Sequence, residues 1–231
     1  MNRLRFPVLA TMFLIVPASV VWSAPVPASR SGLERIPASA PIVIHLRGVQ
    51  GARDRLVAMM ENALPDVLKM FQPEMDDFLK NGRDGRKIRG LAKNGPHFLI
   101  FTELPKTGAP FPDPPPFAII LTVRNYKEFR DNILTEEERK SIQDKGNGIE
   151  EVKIQNDPNP AYFLDRKGYA IITPREDVAK TFTKKFTGLH TKMSKEQAAK
   201  LLGSDLGVLV NMESINKDYA EEIKQAKQGI E

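Results

Sequence analysis

Seven short runs of β-branched, aromatic and leucine side chains punctuate the chain. They are PIVIHLRG (Pro41 to Gly48), HFLIFTEL (His97 to Leu104), FAIILTV (Phe117 to Val123), GIEEVKIQ (Gly148 to Gln155), AYFLDR (Ala161 to Arg166), GYAIITP (Gly168 to Pro174) and LGVLVNM (Leu206 to Met212). Runs this short and this rich in branched side chains fit a pleated sheet and not a helix. AYFLDR and GYAIITP meet at Arg166, Lys167 and Gly168. That spacing predicts a tight hairpin.

Helical signals lie between these runs. Asn125 is placed to cap a helix, with Glu128 at its third position and Tyr126, Phe129 and Ile133 on its buried face. Thr135 with Glu138, and Ser194 with Gln197, have capping-box spacing. Thr173, Pro174 and Glu176 read as a further helix start, with Val178, Phe182 and Phe186 facing inward. From Ala52 to Lys80, the residues Leu56, Met60, Ala63, Val67, Phe71, Met75 and Phe78 recur at helical spacing, while Pro65 and Pro73 should break or kink the helix. The final helix carries Ile215, Tyr219, Ile223 and Ala226 on one stripe. The resulting order is β-α-β-β-α-β-β-β-α-α-β-α. It predicts an α+β fold: a mixed or antiparallel sheet covered by helices on one face, ferredoxin-like in its first half.

The N-terminus carries the clearest functional signal. MNRLRFPVLATMFLIVPASVVWSAPVPASRSG has Arg3 and Arg5, then an apolar stretch from Val8 to Val21, then the small residues Ser23, Ala24 and Ala28. This is the pattern of a secretory signal peptide. Cleavage after Ala24 puts Trp22 at the −3 position, whereas cleavage after Ala28 puts Val26 there, a better fit. The competing reading is a retained anchor, but a spanning helix needs about 20 apolar residues. This stretch is shorter and Pro17 interrupts it. The arginines are not adjacent, so the general secretion route is expected, and with it a secreted or periplasmic location. The chain therefore divides into a signal peptide (1–28), a linker rich in proline, serine and alanine (29–40), an α+β domain (41–205) and a final β-α unit (206–231).

That last unit resembles an earlier one. Strand, polar cap and aromatic-bearing helix recur at Phe117 to Leu134 and Leu206 to Gln225, and more loosely at Ile42 to Met60 and Gly168 to Phe186. Two readings stay open. Any two β-α units share this logic, or residues 206–231 open a second copy of a duplicated module. On the second reading the chain is the first portion of a longer module, or it needs a partner. The strand Leu206 to Met212 is nearly all apolar, which predicts burial on both faces.

Composition narrows the chemistry. The chain has 231 residues and 0 cysteines, so disulfides, thiolate metal sites and cysteine nucleophiles are excluded. Net charge is +5; without the acid-free leader it falls to +3, from 32 basic and 29 acidic groups, which is too mild to argue for nucleic acid. His45, His97 and His190 lack metal-ligand spacing, and Asn156 to Pro160 (NDPNP) lacks the spacing of a calcium loop. No metal, cofactor or membrane span after leader removal is expected. No nucleophile elbow, phosphate loop or zinc-protease motif occurs. Glu136, Glu137 and Glu138 read as first-turn acids, so no catalytic residue is assigned. The methionines Met60, Met70 and Met75 read as core in preference to an adaptable groove. Lys80, Arg83, Arg86, Lys87, Arg89 and Lys93 are opposed only by Asp84. They form a candidate patch for an anionic envelope polymer.

The leader, IPASAPIVIHLRGV, YKEFRDNILTEEERKSI and DLGVLVNMESINKDYAEEIKQA together resemble a group of uncharacterised exported proteins of planctomycete-type bacteria. That resemblance implies export and no particular chemistry. The expectation is a non-enzymatic binding or scaffolding protein of the cell envelope, with a protein or anionic polymer as partner. The alternative is a secreted hydrolase with a dispersed site.

Overall fold

Seven of the strands form where the apolar runs lie, and an eighth, very short one joins them. The computed structural model describes residues 32–63, 72–73, 76–77, 79–82, 86–104 and 112–220. The strands are β1 (Ile42–Leu46), β2 (His97–Phe101), β3 (Phe117–Thr122), β4 (Gln143–Asp144), β5 (Ile149–Lys153), β6 (Pro160–Asp165), β7 (Tyr169–Thr173) and β8 (Leu206–Val210). The α-helices are α1 (Val49–Ala63), α2 (Tyr126–Ile133), α3 (Glu136–Lys140), α4 (Glu176–Thr181), α5 (Lys195–Gly203) and α6 (Met212–Asp218). Among the described residues no helix is long and apolar enough to cross a membrane.

The strands make one sheet in the order β4-β5-β6-β7-β3-β2-β1-β8. Every pairing in it is antiparallel. The fold is thus α+β with an antiparallel sheet, as one of the two expected arrangements had it, but its first half is not ferredoxin-like. A split β-α-β needs a strand between two parallel ones, whereas β1 and β2 pair directly and antiparallel.

Register builds two cross-strand rows. On one face Ile149, Leu164, Ile171, Ile120, Phe98, His45 and Gly207 stand in line. Val178, Phe182, Leu189, Ala198 and Leu201 pack over this face. On the other face the row is Asp144, Glu150, Phe163, Ile172, Ile119, Leu99, Ile44 and Val208. Leu91, Phe129 and Leu134 cover part of it. The sheet is therefore covered on both faces, not one. The central strands are apolar on both faces along most of their length, and β7 is buried throughout, so both faces need a lid.

Several local expectations form as read. Asn125 accepts from the Glu128 amide at 2.9 Å. Both capping boxes are complete. The β6–β7 hairpin turns on Lys167 (φ 45°) and Gly168 (φ 90°), the left-handed pair that a two-residue hairpin turn requires. Two expectations change. Thr173 does not cap α4; its hydroxyl donates to the Phe117 carbonyl at 2.7 Å, keeping Thr173 in β7, and the cap position falls on Arg175. The stretch read as a linker is part of the core from residue 32, because Leu33 and Ile36 are completely buried. Of the stripe read from Ala52 to Lys80, Val67, Phe71, Met75 and Phe78 lie outside the described residues, as do the side chains of Leu56, Met60 and Ala63. Met70, Ile223 and Ala226 also lie outside them, as does the leader.

Candidate functional site

The basic segment is laced to the fold through its backbone. Lys87 N donates to Asn132 O at 2.7 Å, and Arg124 N donates to Gly90 O at 2.7 Å. Gly90 has φ +78°, and a Cβ there would lie 2.5 Å from Phe129 N. Only glycine lets this segment lie so close to the start of α2.

Arg86 does not stand free in this segment. Its guanidinium forks onto Glu138 at 2.7 and 2.6 Å and also reaches Ile133 O. Glu138 is 1% exposed and accepts from the amides of Thr135 and Gln155, both at 2.9 Å. Burial alone would raise its carboxyl pKa; the Arg86 fork and the two amides outweigh burial and hold it below the usual range. Glu138 is therefore a buried node joining Arg86, α3 and the segment that follows β5, as well as a first-turn acid. Lys80, Lys87, Arg89 and Lys93 have exposed side chains, and Arg83 lies outside the described residues.

The histidines are buried rather than displayed. His45 and His97 are 0% and 1% exposed. Neither ring nitrogen of His45 makes a well-formed hydrogen bond; a weak contact with the Leu201 backbone offsets little of its burial, and its ring lies 5.3 Å from that of Phe98. His97 accepts from Thr122 N at Nδ1, and its Nε2 makes no well-formed hydrogen bond; a weak contact with the Ala92 backbone opposes burial. Burial pushes both down to about 4, so both are neutral at pH 7. They sit in adjacent strands with side chains on opposite faces of the sheet, since His45 opposes Phe98 and His97 opposes Leu46.

A cleft of about 160 Å³ lies between residues 37–40, the end of β2 and α4, lined in part by Ser39, Thr102, Glu103, Asp177 and Thr181. Small-molecule sites usually occupy about 300–1,000 Å³. Asp177 is already paired with Arg175. This cleft brings together none of the residues singled out from the sequence.

The feature that stands out is β8. It was expected to be buried on both faces, yet it is an edge strand, with Val208 60% and Val210 48% exposed. Met212 beside them is 56% exposed. The reason is strand order: β1 takes one side of β8, and no described strand takes the other. Arg47 N donates to Asp205 O and Asn211 N to Pro41 O, which sets the odd-numbered backbone groups toward β1. By antiparallel alternation, the N–H and C=O groups of Leu206, Val208 and Val210 point outward.

This edge is held firmly. Gly207 allows Leu201 of α5 to pack on it, since a Cβ would meet Leu201 Cδ1 at 2.8 Å. Arg55 of α1 pairs with Asp205. Asn211 donates to Ala38 O at 2.9 Å and caps α6 by accepting from Ser214 N. The signal in the sequence was an apolar strand without a charge; its edge position was not legible there.

Comparison of the chain with protein-family models, with curated proteins and with solved structures gives no match.

Proposed function

We propose that the protein is exported by the general secretion route and acts outside the cytoplasm as a non-enzymatic binding or scaffolding protein, with β8 as its docking strand. The observation that carries the docking role is the exposed apolar edge of β8 at Val208 and Val210. Exposed edges are normally blunted by charge, proline or brevity. β8 has none of these, whereas the opposite edge, β4, is two exposed polar residues long. An incoming strand would gain main-chain hydrogen bonds along Leu206, Val208 and Val210, with the valine side chains adding apolar contact.

Export rests on Arg3, Arg5 and the apolar run from Val8. Intact-mass analysis of the product should find the first 24 to 28 residues removed, the span between Ala24 and Ala28. A full-length cytosolic product would refute export. For the docking role, amide hydrogen exchange at low protein concentration should find Leu206, Val208 and Val210 exchanging much faster than Leu209. Equal protection of all four would mean that the edge is not open, and the docking role would fall.

A further inference from the structure

We infer that the strand docking on β8 is β8 of a second copy of this chain, paired antiparallel about a two-fold axis at Val208. This rests on the docking role just proposed and names its occupant.

The row on the second face carries the argument. Phe163, Ile172, Ile119 and Leu99 in that row are 3%, 9%, 5% and 6% exposed, Ile44 is half-buried and Val208 is 60% exposed. At its far end the row turns polar at Glu150, whose carboxylate is engaged by Arg130 and by the Tyr126 hydroxyl at 2.6 Å, and it ends at the exposed Asp144 of β4. At the β8 end it does not reach a polar residue; it runs out to solvent still apolar. A two-fold axis normal to the sheet at Val208 places Val208 opposite Val208 of the other copy. The row then continues through Ile44 and Leu99 of that copy with no change of character.

The remaining pairs fit the same register. Leu206 falls opposite Val210, Gly207 opposite Leu209, and Asp205 opposite Asn211. No charge opposes a like charge, and the one carboxylate in the register, Asp205, is already held by Arg55. The outward N–H and C=O groups of Val208 meet their own copies as a hydrogen-bonded pair. An interface in which one patch meets itself is closed by two-fold symmetry. β4 leaves little edge to extend from, being two residues long and followed by a turn with Gly146, Asn147 and Gly148 all at positive φ. Assembly therefore stops at two copies. A five-residue edge covers less than the ~800 Å² per partner of a standard interface, which puts the dimer among small, reversible interfaces, to be sought over roughly 10–100 μM.

Sedimentation equilibrium of the purified protein over that range, with three single variants, tests this. Wild type should pass reversibly from monomer to dimer. Val208→Lys, at a position already open to solvent, should weaken the dimer at least tenfold and leave the circular dichroism unchanged. The chain has 0 cysteines, so Val208→Cys gives a clean cross-link readout. Directly opposed Cα atoms of a hydrogen-bonded pair lie about 5.5 Å apart, within disulfide reach. Air oxidation should thus give a covalent dimer from Val208→Cys. It should give none from Val210→Cys, whose copies stand about 14 Å apart in this register. A dimer insensitive to Val208→Lys, a ladder of higher species, or a monomer throughout with no cross-link would each overturn the inference. In the last case, fast exchange at Leu206, Val208 and Val210 would leave the docking role standing with a different strand as occupant; slow exchange there would remove both.

Discussion

Lowering the pH from 7.5 to 5 should destabilise this protein steeply, and replacing His45 with leucine should remove about half of that loss. His45 and His97 are buried in the sheet and pushed from 6.5 to about 4 by burial. In the folded state both are neutral down to about pH 4, while in the unfolded chain they take up protons below about 6.5. The unfolded state therefore binds more protons throughout the window from 6.5 to 4. Stability is fully present above 6.5 and is lost as pH falls. At pH 5 each histidine accounts for about 2 kcal/mol of loss, approaching roughly 3 kcal/mol near pH 4, from 1.36 kcal/mol per pKa unit. The repulsion between the two imidazoliums adds to the depression of His97, so removing His45 also eases His97. At pH 7.5 His45→Leu should change stability by no more than about 1 kcal/mol, since a buried ring with no well-formed hydrogen bond and one weak contact to the Leu201 backbone gives way to an apolar side chain. Urea denaturation at half-unit intervals from pH 7.5 to 4.5 measures this directly. The same pH slope in wild type and variant, or no slope in wild type, would refute the argument. Loss confined to pH below about 4.5 would point instead to Glu138, whose depressed carboxyl contributes stability that is lost only in that more acidic range.

Three further outcomes follow from the fold. Arg86→Met leaves the Glu138 carboxylate buried without its cation and should cost about 3 kcal/mol in urea denaturation, with partial recovery when Glu138→Gln is added. Gly90→Ala and Gly168→Ala both force a side chain into positive φ, but only Gly90 lacks space; Gly168→Ala should cost about 1–2 kcal/mol and Gly90→Ala distinctly more. Replacing Lys80, Lys87, Arg89 and Lys93 with serine should leave stability within about 0.5 kcal/mol, because these side chains are exposed. If the same variant keeps its salt-sensitive retention on an anionic polymer, the basic segment is not a polymer site.

Features that need only neighbours in sequence were legible in advance. The capping boxes at Thr135 and Ser194, the Asn125 cap and the left-handed turn at Lys167 and Gly168 each close within three or four residues, so residue type and spacing suffice. The seven apolar runs are strands for the same reason, since branched side chains favour extended backbone locally. Strand order is a different kind of fact. β8 joins β1 across 160 residues or more, and whether an apolar strand ends up central or on an edge depends on which strands lie either side of it. Nothing in LGVLV distinguishes the two, and the tertiary structure alone turned a strand read as doubly buried into an open edge. The same holds for Glu138, whose place in the capping box was readable, while its burial under Arg86 came from a segment 52 residues away. It holds for Leu33 and Ile36 in a stretch that reads as linker. Local sequence determined which elements form, because backbone propensity and capping are short-range. Only the assembled sheet decided which residues are buried, paired or left exposed at its edge, because burial depends on what the rest of the chain brings alongside.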